Sequence, residues 1–151
     1  MQSRLNIRRR TGERGSALVE MALGVTLLVY LLIGAIDYGP MFYNIIELDA
    51  GARAGAVYGS QSTAHAADSV GMQNQALANI LNVQNVTADA SQYCECPGVT
   101  GSHDCTTACT DGSALMVYAK VTTTWTYSPT LRYPFVAYPI TMSRTAIMRA
   151  Q

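Results

Sequence analysis

The chain has no cysteine before residue 94 and none after residue 109. That excludes a disulfide framework for the whole protein. Cys94, Cys96, Cys105 and Cys109 form either a local staple or a local metal site. There is no charge between Glu20 and Asp37. There is no G-x-S-x-G turn, no phosphate loop, and no carboxylate pair set against a positioned base. Serine and threonine are plentiful, but a hydroxyl without an activating base is not a nucleophile. The reading is therefore non-enzymatic, with no cofactor. Positive charge is scarce outside the first fifteen residues. Those carry five arginines and one glutamate, for +4, and the rest carries five basic and nine acidic residues, for −4. A nucleic-acid footprint needs Lys and Arg clustered on the folded domain, so nucleic acid is not an expected partner.

What is present is a long apolar run, GSALVEMALGVTLLVYLLIGAI, from Gly15 to Ile36. Arg4, Arg8, Arg9, Arg10 and Arg14 crowd the chain before it. A basic head followed by an apolar run of this length reads as a membrane anchor, with the positive end staying inside. It differs from a secretory signal, whose apolar region is shorter and ends at a small-residue cleavage site. Here the glycine precedes the apolar run. Cleavage at Gly15 removes the charges and keeps the helix. Glu20 sits inside the segment, and an ionisable group there is a functional suspect by default.

Gly15, then Ser16-Ala17-Leu18-Val19, then Glu20 resembles a type IV prepilin processing site. The wider stretch RGSALVEMALGVTLLVYLLIGAIDYGPMF resembles the TadE-like proteins, pseudopilins or minor pilins of the tight-adherence (Tad/Flp) pilus. The closing ITMSRTAIMRAQ, and a cysteine pair in a loop ahead of a Thr- and Tyr-rich strand, are similar too. The resemblance implies cutting after Gly15 by a prepilin peptidase, which makes Ser16 the first residue and Glu20 the fifth. It implies a second TadE/TadF-like pseudopilin and the major Flp pilin as partners. It also implies single-pass residence in a bacterial cytoplasmic (inner) membrane, with lipid around the helix and the C-terminal part outside the cytoplasm. A carboxylate near the end of an apolar helix is costly if unpaired. The freed α-amino group of Ser16 on a neighbour can meet Glu20 and fix axial register.

The expected fold is α+β: a long transmembrane and stem helix packed on a small antiparallel sheet, with a second helix and a cysteine-containing loop. The expected divisions are a leader over 1–15, a membrane helix over 16–36, a stem over 37–60, and an extracytoplasmic domain over 61–151. In the stem, Met41, Ile45, Leu48, Ala52 and Ala56 recur at helical spacing, continuing past Pro40 to about Gly59. Asp49 and Arg53 are spaced for a surface pair. After a break at GSQSTAHAAD, Ser62 or Thr63 caps a helix that ends near Asn82. Ala66, Val70, Leu77, Ile80 and Leu81 are its expected buried face. His65 has no second ligand nearby and reads as a surface residue.

Residues 83–93 fit a strand. An exposed loop follows with the spacing C-x-C-x8-C-x3-C. Four thiolates suit structural zinc, but C-x-C is tight for two ligands on one tetrahedral ion. Outside the cytoplasm thiols oxidise, so the loop is read as two disulfides with no metal, their connectivity open. His103 and Asp104 lie within it. Residues 115–127 are the clearest strand, β-branched and aromatic. Leu115, Val117, Ala119, Val121, Thr123 and Trp125 share the face expected to pack on the stem. Pro129, Pro134 and Pro139 break the next stretch, whose Tyr133, Phe135 and Tyr138 form an apolar surface. Residues 140–149 alternate as a last strand beside 115–127. A second functional class stays open at this point: an uncleaved single-pass protein that binds a metal or ligand through its cysteine loop.

Overall fold

The computed structural model describes residues 13–98, 101–128 and 137–151. Most of the leader, and Tyr133 and Phe135, lie outside those residues. The described elements are α1 (Glu13–Ser60), α2 (Thr63–Ala67), α3 (Ser69–Ala78), β1 (Thr87–Glu95), β2 (Met116–Tyr127) and β3 (Ile140–Arg149). Two compact units divide at Gly39 and Pro40.

The first unit consists, among the described residues, of the apolar part of α1. Its large side chains, from Leu18 to Ile36, are exposed. This helix is long and apolar enough to cross a membrane, with a mean hydropathy of 2.2. Side chains of this kind left outward have no aqueous partner; lipid is the solvent they fit.

The second unit holds the α+β body. Helical assignment runs through Pro40 to Ser60, although proline removes one helical hydrogen bond. From there one side of α1 faces inward: Leu48, Ala52 and Ala56 are fully buried, and Gly51, Gly55 and Gly59 are buried between them. Asp49 and Arg53 form the outer pair, at 2.8 Å.

The glycine stripe is what lets other elements approach. A Cβ on Gly51 would meet the Ile80 side chain and the Ala76 carbonyl. On Gly55 it would lie 2.7 Å from the Met72 carbonyl oxygen and 3.1 Å from a Val121 methyl. On Gly59 it would meet Met72 and Ala119. These contacts set the directions. Both α3 and β2 run antiparallel to α1, so Ile80 and Thr123 lie toward the Pro40 end, and Met72 and Ala119 lie away from it.

The sheet is antiparallel in the order β1-β2-β3. The register pairs Ala90 with Val121 and Val121 with Ala146. One face carries Ala90, Cys94, Ala119, Val121 and Thr123, all buried, against the helices. The opposite face carries hydroxyls and two tyrosines. Thr122 and Thr145 bond at 2.9 Å, and Tyr93 stacks on Tyr118 with centroids 5.2 Å apart.

The stretch from Thr63 to Asn82 departs from expectation. It is two helices, not one, and Val70 and Leu81 are 62% and 83% exposed. Leu77 is exposed as well; the inward residues are Ala66, Met72, Ala76 and Ile80. Asp68 causes the difference. Its backbone leaves the helical region (φ −84, ψ 78), and its side chain accepts the Gly71 N–H to start α3 afresh. The Tyr58 hydroxyl holds the same carboxylate at 2.9 Å. A restart changes the phase, so a face read across the break points the wrong way. Ser62 caps α2 by accepting the His65 N–H, and the His65 ring sits edge-on to Tyr58.

Strand β1 also begins and ends later than the residue pattern suggests. Cys94 and Glu95 belong to it rather than to the loop: Cys94 pairs with Val117 and is buried on the same strand face as buried Ala90 and half-buried Ala88.

Candidate functional site

Gly15, Ser16 and Glu20 all fall on α1, and all three are exposed. Ser16 and Glu20 are four residues apart, so they share one helix face. A Cβ on Gly15 would meet nothing within 4 Å. Among the described residues no side chain bonds Glu20. Gly24 continues the same face one turn further on, and its surroundings are equally open. The result is a bare helical edge of small residues with one carboxylate on it. Such an edge lets a second helix approach closely and offers it a charge to neutralise.

The cysteines lie at the far end of the second unit. Cys94 bonds Cys105 and Cys96 bonds Cys109. The three residues Cys94 to Cys96, where β1 ends, are thus tied twice to the returning arm, and the two closures interleave. All four sulfurs are consumed, so the loop offers no thiolate to a metal. The His103 N–H donates to the Cys94 carbonyl at 2.7 Å, which adds a bridge along the edge of β1. Asp104 and Asp111 hold local turns: Asp104 accepts the Thr106 N–H, and Asp111 accepts the N–H and hydroxyl of Ser113. Those bonds hold the Asp111 carboxyl below its ordinary value. The described part of the loop is built and cross-linked by the two disulfides.

Between the two ends, Glu47 of the stem accepts the Asn82 N–H at 3.0 Å and its side-chain amide at 2.6 Å. These bonds lower its pKa. They fasten the segment after α3 to the stem.

Residues 15–57 match the family model described as TadE-like protein. Over that segment the chain is similar to the TadE-like family. The match covers the whole bare edge and most of the stem, and it ends inside α1, before the sheet and the cysteine loop begin. No curated protein and no solved structure matches the chain. The TadE-like segment and its apolar helix fit a minor pilin of the Tad pilus and a single-pass inner-membrane protein.

Residue patterning missed Gly51, Gly55 and Gly59. Their signal was present as glycine at every fourth position of a helix, which places all three on one face. Gly51 and Gly55 fall within the TadE-like segment. Also missed were Glu47 with Asn82, and Thr123 with Leu48, which lie 35 and 75 residues apart in the chain.

Proposed function

We propose that the chain is a pseudopilin of a Tad/Flp adhesion pilus, matured by prepilin peptidase. Hydrolysis of the Gly15–Ser16 peptide bond leaves a carboxylate on Gly15 and a free amine on Ser16. It removes +4 of leader charge from a chain whose remainder carries −4. The single-pass helix stays in the inner membrane with the disulfide-bonded domain outside the cytoplasm. The role is structural. Its helix joins those of a second TadE/TadF-like pseudopilin and of the major pilin.

The observation that carries this reading is Glu20. It stands on an exposed apolar helix, inside the TadE-like segment, with no side-chain partner among the described residues. A charge at the centre of a membrane helix costs roughly 2.5–3.5 kcal/mol, falling toward the interface. The amine of Ser16 on an adjacent subunit offsets that cost. The same contact sets how far one helix slides past the next.

The test has two parts. Intact mass of the membrane-extracted protein is expected to begin at Ser16, and a start at Met1 overturns the processing step. Glu20→Ala is expected to insert normally and to be lost from assembled filaments. Pili of normal number and composition from that variant overturn the register role.

A further inference from the structure

Among the described residues the sheet ends in β1 on one side and β3 on the other. Unpaired strand edges are templates for further pairing. The Ala150 N–H donates to the Val117 carbonyl, so the odd-numbered residues of β2 turn their backbone groups toward β3. Antiparallel pairing alternates. Thr145 and Ile147 of β3 therefore turn their N–H and C=O away from the sheet. On β1 the same alternation turns out Ala90, Gln92 and Cys94, and the Cys94 carbonyl accordingly takes the His103 N–H from outside. Each open row is stopped at one end. The Arg144 guanidinium holds the Ser143 carbonyl at 3.0 Å, as His103 holds that of Cys94. A groove of about 230 Å³ runs along β3, between Thr145–Met148 and the Asp49 and Arg53 side of the stem. Residues of both sheet faces line it together, so it lies at the edge itself.

We infer that this edge receives β1 of a second copy of the chain, so that copies join head to tail by continuing the sheet. Backbone parity sets the direction. The outward groups of β3 belong to residues of the hydroxyl face, and those of β1 to residues of the helix face. Antiparallel addition sets such residues directly opposite, which turns the second copy's helices to the other side of the sheet. Parallel addition staggers them and keeps both helix layers on one side. Strands β1 and β3 already run the same way, each antiparallel to β2. The second copy is then shifted across the sheet without reversal. One register pairs the open centres of both rows. Thr145 donates to Ala90 and accepts from Gln92; Ile147 donates to Gln92 and accepts from Cys94. The same register sets Glu95 beside Arg149, and Tyr93 beside Ile147, which is 50% exposed. Glu95 and Arg149 form no ion pair among the described residues. Opposite charges, and a ring beside a β-branched side chain, stabilise neighbouring strands. Gln92 is exposed although it lies on the helix face, and it enters the groove beside Asp49 and Arg53. The two surfaces differ, so the contact is heterologous and repeats rather than closing as a twofold dimer. It stands on the second unit alone and does not depend on cleavage at Gly15.

The test uses the full-length protein in detergent, where all described cysteines are already disulfide-bonded. Ser91→Cys and Thr145→Cys chains are prepared separately, mixed, and oxidised with copper–phenanthroline. The register sets these positions opposite each other, about 4.8 Å apart, within disulfide reach. Within one chain β2 lies between them, so roughly 10 Å separates them, beyond that reach. The mixture is expected to give several-fold more cross-linked pair than either variant alone. Both substitutions in one chain should give a ladder. Arg149→Glu on the Thr145→Cys chain should reduce the pair several-fold, and Glu95→Arg on the Ser91→Cys chain should restore it. A mixture no richer in product than the single variants overturns the inference. An excess of pairs between two Thr145→Cys chains indicates a twofold β3 contact and overturns it as well. Loss on charge reversal without restoration overturns the register. Cross-linking that requires another pilus protein assigns the edge to that partner and overturns self-association.

Discussion

The Thr123 hydroxyl donates to the carbonyl oxygen of Leu48 across 2.9 Å, and both residues are fully buried. A strand threonine thus bonds a stem carbonyl 75 residues earlier in the chain. The same hydroxyl lies 3.4 Å from the Arg144 carbonyl of β3. One side chain therefore links the stem, the central strand and an edge strand.

Thr123→Val keeps the shape and removes the donor. Helical carbonyls have a second partner in their own ladder, so the loss is one net hydrogen bond, about 1 kcal/mol. Chemical denaturation of the detergent-solubilised protein checks it. An unchanged midpoint means that the bond contributes only direction.

Gly55→Ala is expected to destabilise even though alanine is the better helix former. The gain in propensity is at most about 1 kcal/mol. Against it stands a methyl group forced to within 2.7 Å of the Met72 backbone oxygen, and overpacking of this kind costs roughly 1–3 kcal/mol. Gly24→Ala meets nothing within 4 Å and is expected to leave folding of the isolated chain unharmed. Thermal melts of the two variants side by side give the comparison. A more stable Gly55→Ala refutes the close-approach role of the stripe.

Removing one staple tests the loop. Cys96→Ser combined with Cys109→Ser opens a closure of sequence separation 13 and leaves Cys94–Cys105 in place. The chain-entropy account gives about 3 kcal/mol for a loop of this size. Because the two closures overlap, removing both should cost less than twice that. Denaturant midpoints under non-reducing conditions measure each step. Wild-type stability in the double-serine variant would show the second bond to be redundant.

Glu47 predicts an acid limb. Its hydrogen bonds from Asn82 hold the carboxyl below the ordinary value of 4.5. Its ionised form is therefore favoured more in the folded chain than in the unfolded one. The stability it contributes is complete above the unfolded pKa and is lost as pH falls through the folded one. Glu47→Gln should be less stable than wild type at neutral pH, and the gap should close on acidification below about 4.5. Asp68 and Asp111 are also lowered, so the difference between the two proteins, not either curve alone, isolates Glu47. A gap that stays constant from neutral to acid pH refutes the assignment.

The anchor, the stem and the three strands were legible because each is a local pattern. An uncharged run of membrane length, a four-residue apolar repeat and β-branched alternation need no distant partner to be recognised. The position of Gly15 and Glu20 against a basic head is likewise a matter of neighbours along the chain. Oxidation of the cysteines followed from their expected compartment. Their pairing, 94 with 105 and 96 with 109, followed only from where the end of β1 meets the returning loop.

Tertiary structure alone decided which side of the 63–82 segment is inside. Asp68 serves both as the end of one helix and as the start of the next, and its carboxylate is held by Tyr58 from the stem. That is a contact between elements, invisible to periodicity, and it moved burial from Val70, Leu77 and Leu81 to Met72 and Ala76, while Ala66 and Ile80 are buried as expected. It likewise decided that Gly51, Gly55 and Gly59 are packing surfaces and that Thr123 reaches Leu48. Hydrophobic pattern specifies an element and its period. The phase of that element, and the partner it meets at a bare backbone, are set only when the surfaces are brought together.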